Sequence, residues 1–224
     1  MKLSKRLETV AQMVPENLPC ADIGADHGYL VKFLIDNNKI PFAYASDNKK
    51  GPFMRLASNL ESYINKGLVE VSLQDGLNNL PNKYRTIVIC GMGGDLIREI
   101  LSSNLETVKE KDYLLLAPHG KEKELRLFLS TNGFEIIDEE VVYEGHYYEI
   151  ILFKNVKKIV KYDEIQLNFG PVNLKKKSEI FKNKYLDLLK SNKEIFINPF
   201  LNEKRKNEVQ STINNLENMI KTLF

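Results

Sequence analysis

Cysteine is scarce: Cys20 and Cys90 are the only two in 224 residues. Two thiols cannot staple a disulfide scaffold, and their spacing matches no metal-ligand pattern. The chain therefore reads as a cytoplasmic protein of a reducing compartment, with no metal. Long apolar runs are missing as well. No stretch approaches the roughly 18 residues that span a bilayer. Met1-Lys2-Leu3-Ser4-Lys5-Arg6 leads into a polar, helix-like segment where a signal peptide would carry its apolar region. Membrane, secreted and fibrous classes are excluded. There is no internal repeat and no large net charge, since 32 Lys+Arg stand against 30 Asp+Glu. Hydrophobic residues at 43% and charged residues at 28% are enough to bury a core.

The near-zero net charge hides an uneven distribution. Residues 1–153 carry 17 basic and 22 acidic side chains, a net of −5, whereas residues 154–224 carry 15 and 8, a net of +7. Two domains are expected with that boundary: an acidic one that does chemistry and a basic appendage suited to phosphate. In the first, short apolar runs alternate with helix-like segments. Strands are expected at 20–24, 42–47, 68–72, 86–90 and 113–117, with helices near 27–38, 51–65, 94–103 and 121–131. Residues 134–142 and 147–153 form a hairpin around Glu144-Gly145-His146. This alternation implies an α/β fold with a mostly parallel sheet that ends in an antiparallel hairpin.

Residues 154–173 read as irregular. Beyond them Leu174, Phe181, Tyr185, Leu188 and Ile195 form one apolar seam, and Val209, Ile213, Leu216, Ile220 and Leu223 form a second. Asn198-Pro199 between them supplies a helix cap and a first-turn proline. An antiparallel, coiled-coil-like pair of helices follows. Its two basic triplets, Lys175-Lys176-Lys177 and Lys204-Arg205-Lys206, are the candidate nucleic-acid contacts.

In an open parallel sheet, ligands bind beyond the carboxyl ends of the strands. The first strand runs into Asp22-Ile23-Gly24-Ala25-Asp26-His27-Gly28-Tyr29, which lacks the G-x-G-x-x-G spacing of a dinucleotide fold. Asp47, followed by Asn48, ends the second strand, where a carboxylate can accept two hydrogen bonds from a ribose diol. Gln74-Asp75-Gly76 follows the third strand and can meet an adenine amino group. Gly91-Met92-Gly93-Gly94 follows the fourth and leaves little side-chain bulk beside a ligand. Asp22, Gly24, His27, Asp47, Asn48, Gln74, Asp75, Gly76, Gly91 and Met92 are therefore the expected cofactor-binding residues, for either NAD or S-adenosylmethionine. The closing hairpin favours the latter.

The segments Asp22 to Leu30, Gly91 to Gly94, Leu125 to Ile150 and Leu3 to Ala11 resemble the bacterial tRNA (adenine-22-N1)-methyltransferase family. The resemblance implies a class I, Rossmann-like methyltransferase fold using S-adenosylmethionine, with tRNA as partner. One departure is visible: the family's Gln-Pro-Asn after the fifth strand is Ala117-Pro118-His119 here. Adenine N1 has an in-plane lone pair, so such an enzyme has mainly to align acceptor and donor and to stabilise the charge that appears on the base. Asp26 is the expected carboxylate, unless it only caps the following helix. Tyr29 can stack on a base or be core. His27 can orient Asp26, and His119 borders the acceptor. Asp26, Tyr29 and His119 are thus the catalytic candidates, and Cys20 and Cys90 read as core. A monomer is expected. A methyltransferase with another acceptor, a tRNA-binding module without turnover and a nicotinamide dehydrogenase stay open at this point.

Overall fold

The computed structural model describes residues 3–224; Met1 and Lys2 lie outside them. Its centre is a run of strands that are apolar on both faces: β1 (Cys20–Ile23), β2 (Ala43–Asp47), β4 (Thr86–Gly93) and β5 (Tyr113–His119). β1 is buried throughout, as are Ile87, Val88 and Ile89 of β4 and Leu114 to Ala117 of β5. A parallel sheet covered by helices on both sides demands that pattern. With β3 (Val69–Leu73), β6 (Phe134–Glu144) and β7 (His146–Asn155) the seven-stranded sheet has the order β3-β2-β1-β4-β5-β7-β6. The first four pairings are parallel, and β7 runs antiparallel between β5 and β6. This is the class I methyltransferase arrangement, a Rossmann-like α/β sheet with an antiparallel closing hairpin.

Helices α1 (Lys5–Met13), α2 (Tyr29–Asp36) and α3 (Lys50–Asn65) share a core cluster on one face. Helices α4 (Gly94–Ser103), α5 (Leu105–Lys109) and α6 (Glu122–Thr131) share another on the opposite face. Along β1, Cys20 joins the first cluster while Ala21 and Ile23 join the second, so Asp22 projects to the α1–α3 side. Ser4 caps α1 by accepting from the Leu7 amide at 3.3 Å, and the Lys5 amide donates to Glu144 Oε1 at 3.0 Å. The start of α1 is thereby pinned to the end of β6.

The chain divides into two compact units, Met1–Val172 and Asn173–Phe224. The boundary lies after Val172 instead of after Phe153, because residues 156–172 are bonded into the first unit. They are not irregular throughout: α7 (Glu164–Phe169) begins with a capping box of Asp163 and Gln166, and α8 (Pro171–Lys176) spans the junction. Tyr162 Oη accepts from the Ile136 amide at 2.9 Å, and the Val172 amide donates to Glu139 Oε2 at 2.9 Å. That carboxylate belongs to a fully buried ionic group. Arg126 Nε donates to Glu139 Oε1 at 2.8 Å, Nη2 pairs with Glu149, and Nη1 donates to the Leu167 carbonyl at 3.1 Å. Burial holds the Glu139 carboxyl above its ordinary range despite Arg126.

The second unit contains α9 (Glu179–Phe196) and α10 (Glu203–Leu223), which run antiparallel. Lys206 Nζ, at the start of α10, sits 5.3 Å from the Phe196 ring at the end of α9, and Lys177 Nζ donates to the Leu223 carbonyl. Details of the expected seams differ. Phe181 and Tyr185 are buried but Leu188 and Ile195 are exposed, and on α10 Met219 is buried where Ile220 was expected. The cap of α10 is Asn202, which accepts from the Arg205 amide at 2.8 Å; Asn198 instead turns back to accept from the Phe200 amide.

Arg126→Ala leaves two carboxylates buried without their cation. Urea unfolding should show a loss of about 3–5 kcal/mol, against less than about 1 kcal/mol for removing an exposed partner such as Lys109.

Candidate active site

The strand order reverses between β1 and β4, so the loops leaving them diverge and open a crevice. Register brings the right residues together there. Ile23 is level with Ser46 of β2 and with Ile89 of β4, so Gly24, Asp47 and Cys90 stand at one height, with β4 running on to Gly93. The chain turns sharply at that point: Gly24 has φ +76°, and its amide and that of Ala25 both donate to the Ser46 carbonyl, at 2.8 and 2.9 Å. Gly28, at φ +70°, then starts α2 with no side-chain cap. A Cβ on Gly28 would lie 2.8 Å from both Leu56 and Leu60, so the loop is pressed onto α3.

Two adjoining cavities result, with Gly24, Asp26, Cys90 and Gly91 bordering both. The wider, about 670 Å³, extends to Asp22, His27 and Tyr29 and is closed on its far side by Ser4, Arg6 and Leu7 of the N-terminal segment. The narrower, about 410 Å³, extends to Asp47, Asn48, Gln74, Asp75, Gly76 and Met92. Its polar groups are pre-arranged. Asp47 Oδ1 accepts from the Lys49 amide at 2.9 Å, Asn48 Nδ2 donates to Asp75 Oδ1 at 3.1 Å, and Gln74 Nε2 donates to the Gly76 carbonyl at 3.3 Å. Ser46, also in its wall, has a buried hydroxyl with no hydrogen-bond partner among the described residues. Space above Gly91 is open, the nearest atom to an added Cβ being Arg6 Nη1 at 4.0 Å. Above Gly24 it is not, because Met92 Cε lies across it.

Asp26 borders both cavities. Its carboxylate meets Arg55 Nη2 at 3.3 Å and His27 Nε2 at 3.6 Å. Gly28, not Asp26, holds the cap position of α2. The His27 ring stacks on Tyr29 at 5.2 Å, with planes 9° apart, and Tyr29 is 43% exposed, which sets aside the core alternative for it. His119 does not line either cavity; it stands at the end of β5 with its ring edge-on to Tyr148 at 5.3 Å. Cys20 is buried as expected, but Cys90 is only half-buried and belongs to the cavity walls. Sequence reasoning missed Arg6 and Arg55, which line the cavities, and Tyr148, which lines neither and meets the site through Arg6. They come from α1, α3 and β7, and their approach to the strand ends depends on packing. Both basic triplets lie in the second unit, Lys175 and Lys176 at the end of α8 and Lys204, Arg205 and Lys206 at the start of α10.

A profile of the tRNA (adenine(22)-N(1))-methyltransferase family matches residues 20–219. A Bacillus subtilis tRNA (adenine(22)-N(1))-methyltransferase is 33% identical over 191 residues, which is 83% of this chain and 80% of the relative. This chain belongs to that family. A Streptococcus pneumoniae structure with bound S-adenosyl-L-methionine superposes with a TM-score of 0.88 at 28% identity, covering 98% of this chain and 100% of the other. A M. capricolum member, solved with S-adenosyl-homocysteine, gives 0.87 at 28% identity with full coverage of both chains. Among the described residues, no helix is long and apolar enough to cross a membrane.

One electrostatic feature of this family member stands out. Asp22 is 5% exposed, and burial raises its carboxyl to about pKa 7. Burial and the nearby Asp22 also push both cysteine thiols well above their ordinary value. A raised carboxyl means that the folded chain keeps a proton which the unfolded chain has already released. Stability from this group is therefore full below about pH 4 and declines as pH rises through about 7. Between about pH 5 and pH 8 the ligand-free protein should lose about 2–3 kcal/mol through Asp22, and Asp22→Asn should remove that slope in urea titrations at the two pH values.

Proposed function

We propose that the protein transfers the methyl group of S-adenosylmethionine to N1 of adenine 22 in tRNA, with Met1–Val172 doing the chemistry and Asn173–Phe224 gripping the RNA. The observation that carries this reading is the convergence of Asp22, Asp47, Asp75 and Gly91, from four separate strand ends, on one pair of adjoining cavities. Family membership names the acceptor.

The residues present fit the cofactor. The unpartnered Ser46 hydroxyl beside Asp47 suits a ribose diol, and the Asn48–Asp75 pair with Gln74 suits an adenine edge. Asp22 and His27, in the wider cleft, suit the amino-acid end, and the bare backbone at Gly91 leaves room beside the sulfonium. When bound, the group supplies a methyl already activated for displacement. Adenine N1 needs no general base, so the protein's work is alignment and exclusion of water. Asp26 faces the same cleft and offsets the positive charge that develops on the base. His27 and Arg55 hold its carboxylate in place.

The basic residues of the second unit are not equivalent. Lys177 Nζ is spent on the Leu223 carbonyl, Arg205 on Glu208, and Lys206 sits over Phe196. Lys175 and Lys204 are the better phosphate ligands. Replacing both with Glu should weaken tRNA binding and flatten its dependence on log salt by about 2.

Radiolabelled methyl transfer into bulk tRNA from a strain lacking the modification, followed by nucleoside mapping, tests the activity; label elsewhere than at N1 of adenine 22 overturns the reading. In the same assay Asp26→Asn should lower turnover at least ~10-fold, about 1.4 kcal/mol of transition-state stabilisation. Cofactor affinity, read by thermal shift, should change little.

A further inference from the structure

Arg6 carries the single permanent positive charge among the described residues lining the wider cleft. It comes from the first turn of α1, which the Lys5 amide anchors to Glu144. Its guanidinium carbon lies 4.8 Å over the Tyr148 ring, and Nη1 reaches to the open space above Gly91. Tyr148 is itself braced by the edge-on ring of His119. No hydrogen bond or ion pair to the Arg6 side chain is present among the described residues, although Asp22 and Asp26 line the same cleft. A planar cation is thus seated on an aromatic ring, with no bond to its donors among the described residues, beside the bare backbone at Gly91.

We propose that Arg6, seated on Tyr148, is the surface on which the acceptor adenine stacks, and the charge that rejects the base once it has been methylated. The inference rests on the proposed function and adds a determinant of substrate over product. Guanidinium planes and aromatic rings are ordinary stacking partners for an unstacked, neutral base. In the transfer, the N1 lone pair forms the new bond to carbon while the S–C bond breaks and its electron pair stays on sulfur. No proton is exchanged. The positive charge passes from sulfonium to the adenine ring, hence toward Arg6. A neutral base on a cation becomes a cation on a cation, and the contact turns from attractive to repulsive. Asp26 offsets the charge as it forms, and Arg6 then favours departure. Tyr148 is a positioning residue, because it acts through Arg6.

The test measures equilibrium binding of one tRNA transcript, unmodified and carrying 1-methyladenosine at position 22, in the presence of S-adenosylhomocysteine. The full-length protein should bind the methylated transcript at least about tenfold more weakly. Arg6→Gln should bring the ratio to about twofold or less, by weakening the unmodified transcript and sparing or tightening the methylated one. Multiple-turnover rates should then fall more than the single-turnover rate. Arg6→Lys keeps the charge without the plane and should preserve discrimination while weakening both transcripts. Tyr148→Leu should behave like Arg6→Gln, and Tyr148→Phe like the unaltered protein. An unchanged ratio in Arg6→Gln overturns the proposal. So does a main effect on S-adenosylmethionine affinity, which would make Arg6 a cofactor clamp. If the unaltered protein methylates no tRNA, the functional reading fails instead, and the two failures are distinguishable.

Discussion

The short central strand Cys20–Ile23 is hydrogen-bonded in parallel to β2 on one side and to β4 on the other. Because both neighbours run the same way, the loops leaving all three emerge at one edge. Because the strand order reverses beside β1, those loops part and leave a crevice. The Ser46 carbonyl then catches two successive amides, of Gly24 and Ala25, and turns the chain into the loop that carries Asp26 and His27. Every polar group of the cleft takes its position from this arrangement. A shift of β1 against either neighbour would move Asp22 to the other face of the sheet and separate Gly24 from Gly91.

The cleft is not optimised for the stability of the protein without its ligand. A buried carboxyl held near neutrality and, among the described residues, a buried serine hydroxyl without a partner and an arginine with no ionic partner all sit within it. Each disfavours an isolated fold and each is suited to a charged or hydroxylated guest. By contrast, Arg126 lines neither cavity, is enclosed by Glu139 and Glu149, and ties residues 164–172 to the sheet. Polar groups in this protein thus divide into those that close the fold on itself and those left to be completed by what binds.

Much of this was legible along the chain. Buried strands appear as short runs such as Ile87-Val88-Ile89-Cys90, and the helix over 94–103 follows from its amphipathic spacing. The strand-end residues from Asp22 to Met92 could be picked out because glycine and acidic residues interrupt apolar runs there. Less legible were features set by competition between nearby residues of similar propensity. Asn198-Pro199 reads as a helix cap, yet Asn202 takes that place because it alone has a continuous helix behind it. Met219 and Ile220 are both apolar neighbours, and the pitch of α10 decides which is buried. Residues 154–173 look irregular because their order comes from bonds to Ile136, Ser130 and Glu139, all distant in sequence.

Sequence alone determined the α/β class, the antiparallel closing hairpin, the basic helical tail, and which residue types stand at each strand end. These follow from local periodicity and from glycine, both of which act over a few residues. The strand order, the shared height of Gly24, Asp47 and Cys90, the raised carboxyl of Asp22 and the seating of Arg6 on Tyr148 were decided only by tertiary structure. Each depends on groups far apart along the chain that packing brings within a few ångströms, and on the exclusion of water that only a closed core provides.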